Sequence, residues 1–127
     1  MELIAVITGV ILVQYYVLMM MVGAARAKTG IEPPKMDGDP LLERAVRIQA
    51  NTLEQIVVVI PALWIFATYL SSDVAAGLGL VFVVGRVLYA QAYRADPKKR
   101  TMGFMLGFLA TMVLLGGSLY GAIMAAI

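Results

Sequence analysis

A chain of 127 residues has the length of one domain, and 61% of it is apolar while only 14% is charged. A soluble domain carries about half apolar and about a quarter charged residues, so this balance excludes an ordinary soluble fold and points to an integral membrane protein. The net charge is +2, and there is neither cysteine nor histidine. That removes disulfides, a protein thiol nucleophile, the commonest general base and the commonest metal ligand. Chemistry then rests on Arg, Tyr, Asp/Glu, Ser/Thr or a bound molecule, and no metal site is expected.

The first element is an uncharged run, Leu3 to Ala25. A spanning helix needs about 20 apolar residues, so a helix over roughly residues 3–27 is predicted. The run has no basic leader and is too long for a cleavable signal, so it reads as a retained helix. Thr29 to Asp39 is a loop broken by Pro33-Pro34. Asp39-Pro40 reads as an N-cap followed by proline in the first helical position, opening a second helix over about 40–70 with Pro61 as an internal kink point. Ser71-Ser72-Asp73 is a short turn with capping side chains. It makes the second helix and a third, about 74–94, an antiparallel hairpin. Asp96-Pro97 repeats the cap-plus-proline start, and a fourth helix over about 97–126 follows. Its Gly103-xxx-Gly107 and Gly117-xxx-Gly121 spacings allow close helix contact. The expected fold is an all-α membrane protein, a four-transmembrane-helix bundle forming one domain over 1–127.

Charge placement predicts the orientation. Nine of the ten Lys and Arg residues lie near the two long loops, and only Arg86 lies inside a span. The positive-inside rule makes both long loops cytoplasmic and puts both termini on the opposite side.

The second helix opens on a polar stripe, because residues three and four apart share a face: Arg44, Arg47, Asn51 and Glu54. Ionisable groups near hydrocarbon cost several kcal/mol unless paired or wet. At about 1.5 Å per residue from the short turn, Glu54 lies about 27 Å and Asn51 about 31 Å along the second helix. On the third, Arg86 lies about 20 Å, Tyr89 about 24 Å and Tyr93 about 30 Å from the same turn. Arg86, Tyr89 and Tyr93 also share a face. Two polar stripes at matching depth predict a polar cleft in the cytoplasmic half, with Arg86 snorkelling toward Glu54 as an ion pair. The plainer reading is that Glu54–Arg86 holds the bundle together and that the tyrosines and basic side chains meet lipid headgroups.

The pattern Glu43-Arg44-Ala45-x-Arg47-x-Gln49-x-Asn51-x-x-Glu54, followed by Arg86-x-x-Tyr89-x-x-x-Tyr93, resembles the signature of the MAPEG family, the membrane-associated proteins in eicosanoid and glutathione metabolism. The resemblance covers nearly the whole chain. It implies a homotrimer of four-helix protomers with glutathione between neighbouring subunits near the cytoplasmic face. It further implies that Arg47, Asn51 and Glu54 of the second helix and Tyr89 and Tyr93 of the third contact glutathione. Gln49 and Arg26 would contact it from the adjoining subunit, and Arg100 would be the catalytic arginine holding the thiolate. Arg86 matches a structural or site-supporting arginine.

This chemistry suits the residues. Arginine forks match the carboxylates of glutathione, Glu54 can accept from its ammonium, and a guanidinium beside sulfur favours the nucleophilic thiolate. Two departures bear on the branch of the family. Arg26 is followed by Ala27 where leukotriene synthases have a second arginine, and Gln55 stands in place of a tyrosine. The resemblance therefore implies a glutathione transferase or peroxidase acting on a hydrophobic small molecule or lipid rather than a leukotriene synthase. The alternative is a non-catalytic lipid-binding or scaffold member of the same fold. A small multidrug exporter is disfavoured, because its essential acidic residue within the first helix is missing here. Expected partners are glutathione, the hydrophobic substrate and membrane lipids, with no nucleic acid.

Overall fold

The computed structural model describes residues 1–127 and contains four long helices: α1 (Glu2–Thr29), α2 (Pro40–Tyr69), α3 (Ser72–Ala95) and α4 (Thr101–Ala126). The shortest has 24 residues, which at about 1.5 Å per residue exceeds the roughly 30 Å of bilayer hydrocarbon. All four are long and apolar enough to span. The protein is therefore an integral, multi-pass, all-α membrane bundle.

The helix ends follow local chemistry. Gly30 closes α1 at φ 75°, and its N–H reaches the Arg26 carbonyl, a left-handed cap that glycine adopts without a Cβ penalty. The Asp39 carboxylate accepts from the Leu41 N–H at 2.8 Å, with Pro40 in the first turn. The Ser71 hydroxyl accepts from the Val74 N–H at 3.1 Å, so α3 already begins at Ser72. α2 runs continuously through Pro61. The start of the fourth helix differs from expectation. The Asp96 carboxylate caps Pro97–Lys99, which is a single 3-10 turn. α4 proper begins only at Thr101, with the Arg100 carbonyl accepting from Phe104. A cap followed by proline specifies a turn start, and here the tighter i to i+3 bond from the Lys99 N–H to the Asp96 carbonyl took it.

α2 and α3 form the antiparallel hairpin, and α1 and α4 pack on that pair rather than on each other. The main apolar cluster joins Ile4, Ile7 and Ile11 of α1 to Val59, Leu63 and Phe66 of α2, Phe82 of α3 and Leu114 of α4. Only 28 of 127 residues are buried within the single chain, since each spanning helix keeps an outward apolar face. Without a hydrophobic force between spans, association depends on close packing and interhelical hydrogen bonds. The Trp64 indole donates to the Thr8 hydroxyl at 2.9 Å, the Gln14 amide to the Val83 carbonyl at 3.1 Å and the Gln49 amide to the Tyr15 hydroxyl at 2.8 Å.

The glycine spacings of α4 mark its closest approaches. A Cβ on Gly103 would overlap the Tyr89 backbone nitrogen and lie 2.7 Å from the Gly85 carbonyl oxygen. One on Gly117 would strike the Phe66 ring, whereas one on Gly107 would meet nothing nearer than 3.7 Å. The Gly85–Gly103 crossing draws α4 against α3 just below the loop end of the bundle, which positions the site.

Candidate functional site

Three helices converge at the loop end on a cavity of ≈ 430 Å³ lined by Arg47 and Asn51 of α2, Tyr89 and Tyr93 of α3, and Arg100, Thr101 and Phe104 at the start of α4. Helical spacing builds each wall. Arg47 and Asn51 are four apart, as are Tyr89 and Tyr93, and the two tyrosine rings stack with centroids 5.6 Å apart. Tyr89 is buried and Asn51 half-buried, while Arg47 and Arg100 are exposed.

The electrostatics of this cavity are one-sided. Two arginines line it and no carboxylate does. Glu54 lies on the rim, 3.6 Å from Arg47, with both side chains more than half exposed; such a pair adds little stability in water-like surroundings. Arg100 donates to the Pro97 carbonyl at 2.7 Å. The first N–H groups of α4 also open here, since an α-helix leaves its first donors unsatisfied and its N-terminus favours an anion. The buried Oδ1 of Asn51 has no hydrogen-bond partner. A buried acceptor left unpaired costs about 1–3 kcal/mol.

Below this floor the structure corrects one expectation. Arg86 does not pair with Glu54. Its NH2 group donates to the Thr52 hydroxyl at 2.8 Å, and its guanidinium carbon sits 4.1 Å from the Tyr89 ring centroid. Thr52 in turn donates to the Ile48 carbonyl at 2.8 Å. The reason is azimuth. Thr52 and Glu54 are two residues apart, about 200° around a helix, so the side facing α3 cannot carry both. Depth along the helices matched, but the faces did not. Arg86 thus supports Tyr89 from beneath by a cation–π contact.

Of the residues singled out from sequence, Arg47, Asn51, Tyr89, Tyr93 and Arg100 come together in one cavity. Arg26 and Gln49 do not join it. Arg26 holds the first loop through the Lys35 carbonyl at 2.6 Å, and Gln49 faces Tyr15 of α1. Thr52, Thr101 and Phe104 were missed. Phe104 carried a usable signal, lying four residues beyond Arg100 on the same face. Thr52 carried none, lying off the face shared by Arg44, Arg47, Asn51 and Glu54.

The pattern defining the MAPEG family matches residues 4–120. An uncharacterized protein of Synechocystis sp. is 46% identical over 115 residues, covering 91% of this chain and 84% of that one. Microsomal glutathione S-transferase 2 of Homo sapiens is 42% identical over 97 residues, covering 75% of this chain and 66% of its own length. Leukotriene C4 synthase of Bos taurus is 32% identical over 92 residues, covering 72% and 60% respectively. A match across nearly the entire bundle, including every wall of the cavity, places this chain in the MAPEG family.

Proposed function

We propose that the protein is a glutathione-dependent membrane enzyme that joins the thiol sulfur to a lipophilic electrophile or, with a second glutathione closing the disulfide, reduces a lipid hydroperoxide to its alcohol and water. The observation that carries this reading is a cavity that gathers two arginines and no carboxylate, with Asn51 and two tyrosines completing its polar wall. A ligand with two carboxylates and several N–H donors answers both features, and glutathione is such a ligand. The similarity to a protein called microsomal glutathione S-transferase 2 exceeds that to leukotriene C4 synthase, in keeping with Ala27 departing from the latter branch.

Glutathione, when bound, supplies the sulfur nucleophile. The chain does the rest. Arg47 holds a carboxylate, Asn51 accepts an N–H, and Tyr89 and Tyr93 line the polar wall. Arg100, at the mouth of α4, stabilises sulfur as thiolate through its positive charge. Phe104 begins the apolar side from which a hydrophobic substrate would approach. Arg26 and Gln49 lie outside the cavity of their own protomer, as expected if each site in a homotrimer is completed by a neighbouring subunit. Glu54 then orients Arg47 or meets the ligand ammonium.

Calorimetric titration of the purified protein with glutathione tests this reading. Binding in the millimolar range or tighter is expected, weakened about 10-fold in Asn51→Ala by loss of one hydrogen bond to a charged or polar group. No binding at millimolar ligand would overturn it. The alternative reading is a scaffold that binds without turnover; the single bond from Arg100 NH1 to the Pro97 carbonyl leaves the other guanidinium donors and the charge available.

By the placement of Lys and Arg we further propose that both long loops lie in the cytoplasm and both termini opposite. A cysteine at the exposed Asp73, in an otherwise cysteine-free chain, is expected to react with an impermeant maleimide only from the non-cytoplasmic side. Labelling from the cytoplasm would reverse the orientation.

A further inference from the structure

A second, larger cavity of ≈ 630 Å³ opens at the same end of the bundle, between the end of α1, the start of α2 and the end of α3. It shares no lining residue with the Arg47–Arg100 cavity. Three of its walls carry a cation, Lys28, Arg44 and Arg94, and none carries a carboxylate. None of the three belongs to an ion pair. Arg44 is fixed in place: its NH1 group donates to the Arg94 carbonyl at 2.9 Å and caps the end of α3. Six of the ten lining residues are hydrophobic, among them Met21, Ala24 and Leu41.

We propose that this groove is a binding site for an anionic phospholipid of the surrounding leaflet. The three cations receive the phosphate-bearing head, and the apolar floor receives the upper part of an acyl chain. Charge complementarity supports an anion, because unpaired guanidinium and ammonium groups converge on one mouth and phosphate suits both. The apolar lining supports a lipid over free phosphate, which would leave most of the groove unused. Position supports it too. Met21 to Lys28 spans about 10 Å of α1, so the groove runs from the headgroup level into the hydrocarbon. Small side chains at Ala24, Ala25 and Ala45 leave the room that a chain would fill.

The experiment is native mass spectrometry of the full chain with phosphatidylglycerol, phosphatidylcholine or glycerol 3-phosphate. The parent is expected to retain phosphatidylglycerol in preference to phosphatidylcholine, with soluble glycerol 3-phosphate failing to compete. Lys28→Gln/Arg94→Gln is expected to weaken retention roughly 10-fold or more, since each basic side chain near a membrane surface contributes about 1 kcal/mol toward anionic lipid. Lys98→Gln/Lys99→Gln removes the same charge outside the groove and is expected to leave retention within about 2-fold of the parent. Equal losses in the two double variants would reduce the effect to diffuse surface charge and overturn the site. Competition by glycerol 3-phosphate would replace the lipid with a soluble anion. Equal retention by the parent and the groove variant, as expected if another copy of the chain shuts the groove, would also overturn it. The far-ultraviolet circular dichroism spectrum and the thermal midpoint in detergent serve as folding controls for both variants and do not depend on glutathione binding.

Discussion

Arg100→Ala is expected to lower kcat for glutathione conjugation to an activated aryl halide by about 100-fold or more, the usual loss when a charge-stabilising donor is removed from a reacting site. Glutathione affinity should fall by only a few-fold, because Arg47, Asn51 and the tyrosines remain. The variant should also recover rate as pH rises. A cation beside sulfur lowers the thiol pKa, so removing it returns the thiol toward its unperturbed value of about 8.5 and moves the rising limb of the pH profile to the alkaline side. A profile unchanged in both height and position would remove Arg100 from the chemistry, whereas a parent that binds glutathione without turnover would leave the scaffold reading. The location of Arg100 makes the test informative. It stands outside the helical core, between the 3-10 turn and α4, so its loss should spare the fold.

Gly103→Ala should have the largest effect on stability. The added Cβ would overlap the Tyr89 backbone and the Gly85 carbonyl, and backbone, unlike a flexible side chain, cannot move aside locally. Overpacking usually costs about 1–3 kcal/mol; a clash between two helix backbones should reach about 3 kcal/mol or more. That is a large share of the roughly 5–15 kcal/mol that holds a typical domain together. The thermal unfolding midpoint in detergent should fall sharply. Gly107→Ala is the matched control, since its Cβ would find ordinary contact at 3.7 Å from the Phe82 ring, and its midpoint should stay near the parent. Equal midpoints would show that the α3–α4 crossing can open freely. Because Gly103 lies behind Tyr89 and one residue before Phe104, the surviving Gly103→Ala population should also bind glutathione less well.

The four spans were legible because long uncharged runs bounded by prolines and capping side chains leave little freedom. The cavity was largely legible too. Arg47/Asn51 and Tyr89/Tyr93 each repeat at helical spacing, and counting residues from the short turn put them at one depth. What failed was azimuth. Counting along a helix gives height, whereas the partner of Arg86 depends on how α2 and α3 rotate about their own axes, and that is set by the packing of Leu63, Phe82 and their neighbours. Thr52, a modest hydroxyl between two conspicuous polar positions, won the contact for that reason. The Pro97–Lys99 turn was hidden by a similar ambiguity, since an aspartate before proline opens a 3-10 turn as readily as an α-helix.

The Arg86 arrangement has a thermodynamic consequence. This guanidinium is 2% exposed and is answered by a hydroxyl and an aromatic face, so dipoles alone compensate a full charge. Such a group leaves the folded apo protein with an unmatched positive potential beneath the cavity. An anion settling above it acts as the counter-ion that the chain omits, and whatever it adds to binding it adds equally to resistance against unfolding. If the cavity binds an anion as proposed, occupancy and folding are linked, and the apparent stability of the bundle rises with the concentration of that ligand.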